Sequence, residues 1–361
     1  MKGMNSIKSS LGVFSLSHLV VDFACFYILM GNFSLEAGSA VLVNAGFLLY
    51  NFCAFALQVP IGFLADKLQH SHGWFALVGC GVVFLGAMFE VFPWAQLVVM
   101  ALGNASFHIG GGIDSLVFAR GHYARSGIFI SFGALGVALG SICGRAQVLS
   151  VPVLLLLLGA CIILIARFGL LVQEPYLASF DLAAATIKSS EIVIYLALVA
   201  IIVRAVVGAY TPLPWKTTEL LVVLAALMVF AGKLVGGLLA DRLGARRVVV
   251  ASLAVSAPLL AFANSQMLLS CLGLFCFNQA TAVTLCVIVA KLPQNPGLGF
   301  GLTTLALFVG TALSFFVALS ESLRPVLACL LIIIAIVCLV LAVPGKQQPE
   351  TPGGPQSSAL S

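Results

Sequence analysis

Long apolar runs separated by short polar connectors make up almost the whole chain. About 20 apolar residues are enough for a helix to cross the hydrocarbon core of a bilayer. Cutting at charge clusters, prolines and polar patches gives twelve such runs: 12–33, 38–64, 74–92, 94–119, 126–148, 152–172, 191–211, 218–240, 247–264, 266–290, 298–319 and 325–343. Each predicts a membrane-spanning helix, so the expected fold is an all-α polytopic membrane protein with twelve transmembrane helices. The first run follows Lys2 and Lys8 and is too long for the core of a secretory signal, so it reads as a retained span.

The longest polar interruption runs from Gln173 to Ser190 and falls midway, with six runs on either side. It predicts an N-terminal six-helix half (1–173), a cytoplasmic linker (174–190) and a C-terminal six-helix half (191–343). The remainder, 344–361, is rich in Pro, Gly, Ser and Gln and is expected to be a disordered cytoplasmic tail. A repeated signature points to duplication. Gly62-Phe63-Leu64-Ala65-Asp66-Lys67 returns as Gly237-Leu238-Leu239-Ala240-Asp241-Arg242, with the two aspartates 175 residues apart in a chain of 361. The second copy continues to Arg246-Arg247. The first has Gln69 and His70 where the second has Gly244 and Ala245, so it reads as the weaker version.

Composition removes the soluble alternatives. The chain is 61% hydrophobic and 8% charged, against roughly 25% charged in soluble domains. The net charge of +5 would hint at nucleic acid elsewhere, but here the bases sit in connectors and report topology. With the N-terminus inside, Lys67, Arg120, Arg125, Lys188, Arg242, Arg246, Arg247, Lys291 and Lys346 face the cytoplasm, and only Lys216, Arg324 and Arg145 fall outside. This predicts a multi-pass plasma (inner) membrane protein with both termini cytoplasmic, acting as a monomer without nucleic-acid partners. The ten cysteines lie in apolar runs without a Cys-x-x-Cys pair, so neither disulfides nor zinc are expected. Gly110-Gly111-Gly112 has no preceding strand and no following Gly-Lys-Ser/Thr, which excludes a phosphate loop. No cofactor, metal or enzymatic activity is expected.

Candidate chemistry is confined to a few polar residues inside the spans. His18 and Asp22 are four apart and share a helix face. An acid at the bilayer centre costs about 2.5–3.5 kcal/mol on insertion scales, so Asp22 should face the bundle interior. The pair is either a proton-carrying unit or a structural lock between helices. His108 and Asn104, also four apart, point to the same interior, as proton carrier, cavity lining or interhelix glue. Arg204 lies too deep to snorkel. It is an anchor for an anionic or carbonyl-bearing substrate, a partner of Asp22 across the halves, or half of a structural ion pair. Lys233 is a second intramembrane base. Asn44, Asn51 and Gln58 recur every seven residues and either line the cavity or bond a neighbouring helix. Asn278 and Gln279 are further candidates for substrate contact, though adjacent residues face different ways. Asp114 is expected at a cytoplasmic gate with Arg120, Arg125 or a neighbouring span. Gly133, Gly136, Gly140 and Gly144 line one face of the fifth run and permit close helix approach.

Two parallel six-span halves with the same loop signature resemble the major facilitator superfamily. Within it, Ser17-His18-Leu19-Val20-Val21-Asp22, Gly103-Asn104-Ala105-Ser106-Phe107-His108, Arg204 ahead of Pro212, and Ala282-Val283-Thr284 leading to Leu292-Pro293-Gln294-Asn295-Pro296-Gly297 resemble the fosmidomycin-resistance branch. That branch usually has Pro and Glu after the histidine of the fourth span, where this chain has Ile109, Gly110 and Gly111. The resemblance implies the major facilitator fold and proton-driven export of a small molecule by alternating access. Import with protons, and a non-transporting sensor or assembly factor, are the competing functions. It further implies that Asp66 and Asp241 latch the cytoplasmic ends of neighbouring helices, with Gly62, Lys67, Gly237, Arg242 and Arg246 beside them. The start of the eleventh span is the natural partner of Asp66, since a helix N-terminus favours an acid.

Overall fold

The computed structural model describes residues 2–68, 72–119, 121–170 and 189–343. Among the described residues twelve helices follow one another. They are α1 (Lys2–Ile28, continuing through Leu29–Phe33 to Glu36), α2 (Ala40–Leu68), α3 (Gly73–Gly86), α4 (Pro93–Ala119), α5 (Tyr123–Ala146) and α6 (Val151–Gly169). The second six are α7 (Ser190–Tyr210), α8 (Glu219–Leu243), α9 (Ala245–Phe262), α10 (Met267–Lys291), α11 (Pro296–Phe316) and α12 (Arg324–Ala342). No strand occurs among the described residues, and ten of these helices are long and apolar enough to cross a membrane. Residues 174–188, the tail from 344, Gln69, His70 and the expected gate residue Arg120 lie outside the described residues.

Local chemistry sets the helix ends. Ser39, Ser189 and Thr218 each accept a bond from the backbone N–H three residues on, capping α2, α7 and α8. The first helix was expected over 12–33 but runs from Lys2 to Glu36, because nothing breaks it until Gly38 turns the chain at φ +69°. The third was expected to reach Phe92 but stops at Gly86. Pro93 opens α4, and the residue before a proline is steered away from helical geometry, so the chain turns between the two. Helix α10 is interrupted at Gln279 and Ala280, between Asn278 and Thr281.

Each half buries its own apolar core. That of the first half reaches across to Leu285, Cys286 and Val289 of α10 and to Phe300 of α11. Within the first half, α5 turns its glycine row to α1, so that Gly136, Gly140 and Gly144 sit against the backbone of Leu19, Phe23 and Tyr27. Between the halves one close approach joins α2 to α11. A Cβ on Gly62 would come within 2.1 Å of the Gly297 carbonyl oxygen. The matching contact joins α8 to α5, where a Cβ on Gly237 would lie 2.6 Å from the Tyr123 oxygen. Only glycine permits either approach.

Candidate functional site

The interior of the first half gathers His18 and Asp22 from α1 with Asn104 and His108 from α4, all buried. His18 Nε2 lies 3.2 Å from Asp22 Oδ2, and His108 Nε2 lies 3.7 Å from Asp22 Oδ1. The two imidazoles meet through their Nε2 atoms at 2.8 Å. Asn104 Nδ2 donates to Asp22 Oδ1 at 2.8 Å. The opposite ring nitrogens are also committed: Nδ1 of His18 lies 2.9 Å from the Phe129 carbonyl oxygen, and Nδ1 of His108 lies 2.9 Å from that of Asn104. Gly133 of α5 makes room for the cluster, since a Cβ there would stand 2.3 Å from His18 Nε2.

These contacts bear on where the hydrogens sit. A carbonyl oxygen only accepts, so hydrogens on both Nδ1 atoms would meet the Phe129 and Asn104 carbonyls and leave both Nε2 atoms bare in the neutral rings. The two Nε2 atoms, 2.8 Å apart, can then share one further proton, for which Asp22 is the adjacent counter-charge. So protonated, the cluster is neutral as a whole, the form that burial favours.

The same three side chains converge closely enough, within 4.8 Å of one another, to meet a divalent cation. The ammonium of Lys233 is close enough for its charge to reach both His108 and Asp22, and it opposes a dication there.

The second half contributes bases. Arg204 of α7 is 8% exposed. Its Nη2 donates to the Phe277 carbonyl at 2.9 Å and to Thr281 Oγ1 at 3.1 Å, and the guanidinium stands 5.0 Å from the Phe277 ring centroid. Neither an ion pair with Asp22 nor any other carboxylate partner of Arg204 occurs among the described residues. Its partners lie on α10 instead, flanking the interruption. Lys233 of α8 reaches the Ile130 carbonyl of α5 at 3.4 Å, one residue beyond the carbonyl that holds His18.

No profile of a known protein family matches the chain. No curated protein matches it either. Solved structures do. A major facilitator superfamily transporter, FucP, in its outward conformation aligns with a TM-score of 0.67 at 14% identity, covering 93% of this chain and 98% of that one. The human organic anion transporter MFSD10 aligns with a TM-score of 0.65 at 13% identity, covering 93% and 99%. The chain has the major facilitator fold. Its twelve helices therefore form two six-helix halves, and the polar residues of α1, α4, α7, α8 and α10 fall in the interior of that fold.

The repeated signature of this major facilitator fold sits at one end of the halves. Asp66 accepts bonds from the backbone N–H groups of Gly297 at 2.7 Å and Leu298 at 2.8 Å, at the start of α11. Asp241 accepts from Tyr123 at 2.8 Å and Ala124 at 3.0 Å, at the start of α5. Each carboxylate thus caps a helix of the other half. The donors repeat as the acids do, Tyr123 and Gly297 being 174 residues apart. Both copies make the same pair of backbone contacts, and the basic residues that set them apart in sequence take no part in these. Lys67 lies over its own helix's Phe63 ring at 4.4 Å. Arg242 and Arg246 make no ion pair among the described residues.

The remaining candidates take the following places. Asp114 meets a neighbouring span of its own half, capping the start of α3 through the Gly73 N–H, with His72 Nδ1 at 3.8 Å. Asn51 and Gln58 donate to the carbonyls of Phe47 and Ala54, four residues back on their own helix, and not to a neighbour. Asn44 is exposed. Asn278 does the same with Leu274, while Gln279 is buried with its backbone against Gly236. Sequence reasoning missed Thr281, the partner of Arg204, and gave Lys233 no role.

Burial pushes the His72 imidazole, in the connector before α3, down to about 4. Unfolded, it takes a proton near its ordinary value of about 6.5. Between these values the unfolded chain binds more protons, so stability should be full above about 6.5 and fall as the pH drops towards 4. Melting curves across this window should show the loss, and His72→Asn should flatten it. An unchanged slope in the variant would remove His72 as its cause.

Proposed function

We propose that this protein is a proton-coupled secondary transporter of a small organic anion, working by alternating access between its two halves. The observation that carries the proposal is the 2.8 Å contact between His18 Nε2 and His108 Nε2, where one proton can be shared beside the counter-charge of Asp22. A buried site that holds one exchangeable proton, beside bases from the opposite half, is what coupling an ion to a solute requires. Arg204 anchors the anion. Asp66 and Asp241 close the cytoplasmic end when the substrate site faces outward. The neighbours support the reading at the level of their descriptions, one being a fucose:proton symporter from E. coli and another a human organic anion transporter.

Export in exchange for protons, which the sequence resemblance implies, and uptake together with protons use the same residues. They differ in whether anion and proton exclude each other or bind together. Purified protein reconstituted in vesicles with an internal pH dye, given a panel of organic anions, should move protons across the membrane with at least one of them. A panel that moves none in the wild-type protein would overturn the assignment.

A further inference from the structure

The bases of the second half are not balanced by acids of the protein. Arg204 uses Nη2 on two neutral acceptors, and its Nε is buried with no hydrogen-bond partner. A guanidinium has five N–H donors in a planar fork that matches carboxylate and phosphate oxygens. Lys233 has three donors and reaches one carbonyl at the outer limit of hydrogen bonding. Among the described residues no carboxylate lies within ion-pair distance of either. The acid electrostatically coupled to Lys233, Asp22, faces the histidine pair instead, with His18 Nε2 at 3.2 Å and His108 Nε2 at 3.7 Å.

Arg204 sits at the interruption of α10, and α8, which carries Lys233, packs against the same stretch. Arg204 bonds to Phe277 and Thr281 on either side of it. Gly232, the residue before Lys233, lies against Phe275 and Asn278, and Gly236, one turn on, lies against Gln279. Arg204 and Lys233 are close enough to interact electrostatically. With the histidine cluster neutral, the interior therefore carries two uncompensated positive charges, an arrangement that is costly in a bilayer unless a ligand offsets it.

Resting on the transport reading above, we propose that the substrate is a dianion, a dicarboxylate or an organic phosphate or phosphonate, held between Arg204 and Lys233 and carried together with the proton. A monoanion would leave one base unmatched. A dianion and a proton attract, so each raises the affinity for the other, by the reciprocity that linkage requires. Exchange would instead need a substrate that repels the proton. The titratable groups around the shared proton are His18, Asp22 and Cys25 on α1, Tyr50 on α2, His108 on α4 and Lys233 on α8. Towards the cluster α5 presents the Phe129 carbonyl and Gly133.

The test is thermal stabilisation and calorimetry of the full-length purified protein with succinate, glutarate, inorganic phosphate and phosphonoacetate. Acetate, lactate and monomethyl succinate at matched ionic strength serve as monoanions. At least one dianion should bind at least tenfold more tightly than every monoanion. Arg204→Gln and Lys233→Gln should each weaken it tenfold or more, and Lys233→Arg should restore most of the loss. Calorimetry in two buffers of different protonation heat should show proton uptake on binding. Monoanions binding as tightly as dianions, no dianion binding, Lys233→Gln binding unchanged, or proton release would each overturn the proposal. Failure with proton movement still driven by a monoanion in vesicles would remove the dianion and leave the transport reading standing.

Discussion

Asp22→Asn is expected to abolish accumulation of substrate driven by a pH gradient while leaving the protein folded. The amide matches the carboxylate in shape and can still accept from Asn104, which donates to Oδ1 at 2.8 Å. What it cannot do is balance an imidazolium. Without the counter-charge the extra proton between His18 and His108 loses a charge-assisted contact, of the kind worth about 1.5–3 kcal/mol, or more than tenfold in proton occupancy. The amide N–H can also donate to His18 Nε2, which stabilises the neutral ring. Gradient-driven uptake into vesicles should therefore fall at least about tenfold, while exchange of labelled for unlabelled substrate across the membrane persists. Full accumulation by the variant would sink the proton role of the cluster.

The second large effect belongs to the helix caps. Replacing Asp66 and Asp241 together by Asn removes two carboxylates that each hold two backbone N–H groups of the opposite half. An amide oxygen keeps one such bond and gives up the charge. Taking about 1.5 kcal/mol as the loss at each cap, the closed end weakens by about 3 kcal/mol, roughly a hundredfold in the ratio of closed to open forms. Cys286 is a native reporter, fully buried on α10 with its thiol against Ser126 of α5. Its labelling by N-ethylmaleimide, read by mass spectrometry of the modified peptide, should speed up about tenfold in either single variant and more in the double one. Unchanged labelling in the double variant would mean that the caps do not hold this end shut.

The spans and the duplication were legible because apolar length and the repeated Gly-x-x-x-Asp signature are local properties of the chain. So was the pairing of His18 with Asp22, which helix spacing alone places on one face. The entry of His108 into the same cluster was only suggested by its depth. Its Nε2 contact depends on how α1 and α4 pack, 90 residues apart in sequence. Phe129 and Phe277 act through main-chain carbonyls, so no side-chain type could have announced them. For the amides of α2 helix spacing left two readings, cavity lining or a bond to a neighbour, and did not show a third partner: Asn and Gln can satisfy themselves one turn back on their own helix, as Asn51 and Gln58 do. Asp114 was placed at the gate because its depth suggested the cytoplasmic end. The start of α3, a neighbouring span of the same half, holds the acid through the Gly73 N–H.

The reciprocity of the caps bears on how such a chain arose. Each half carries one carboxylate and one helix start, and each lends its carboxylate to the other. The two contacts are related as the two sides of an isologous interface are in a symmetric dimer. An ancestral six-helix unit with a single Asp and a single receptive helix could thus have joined a copy of itself twice over, before the two genes were fused. In that light the single chain preserves the contacts of a homodimer whose partners have since diverged in their buried polar residues, histidines and an aspartate in one and an arginine in the other.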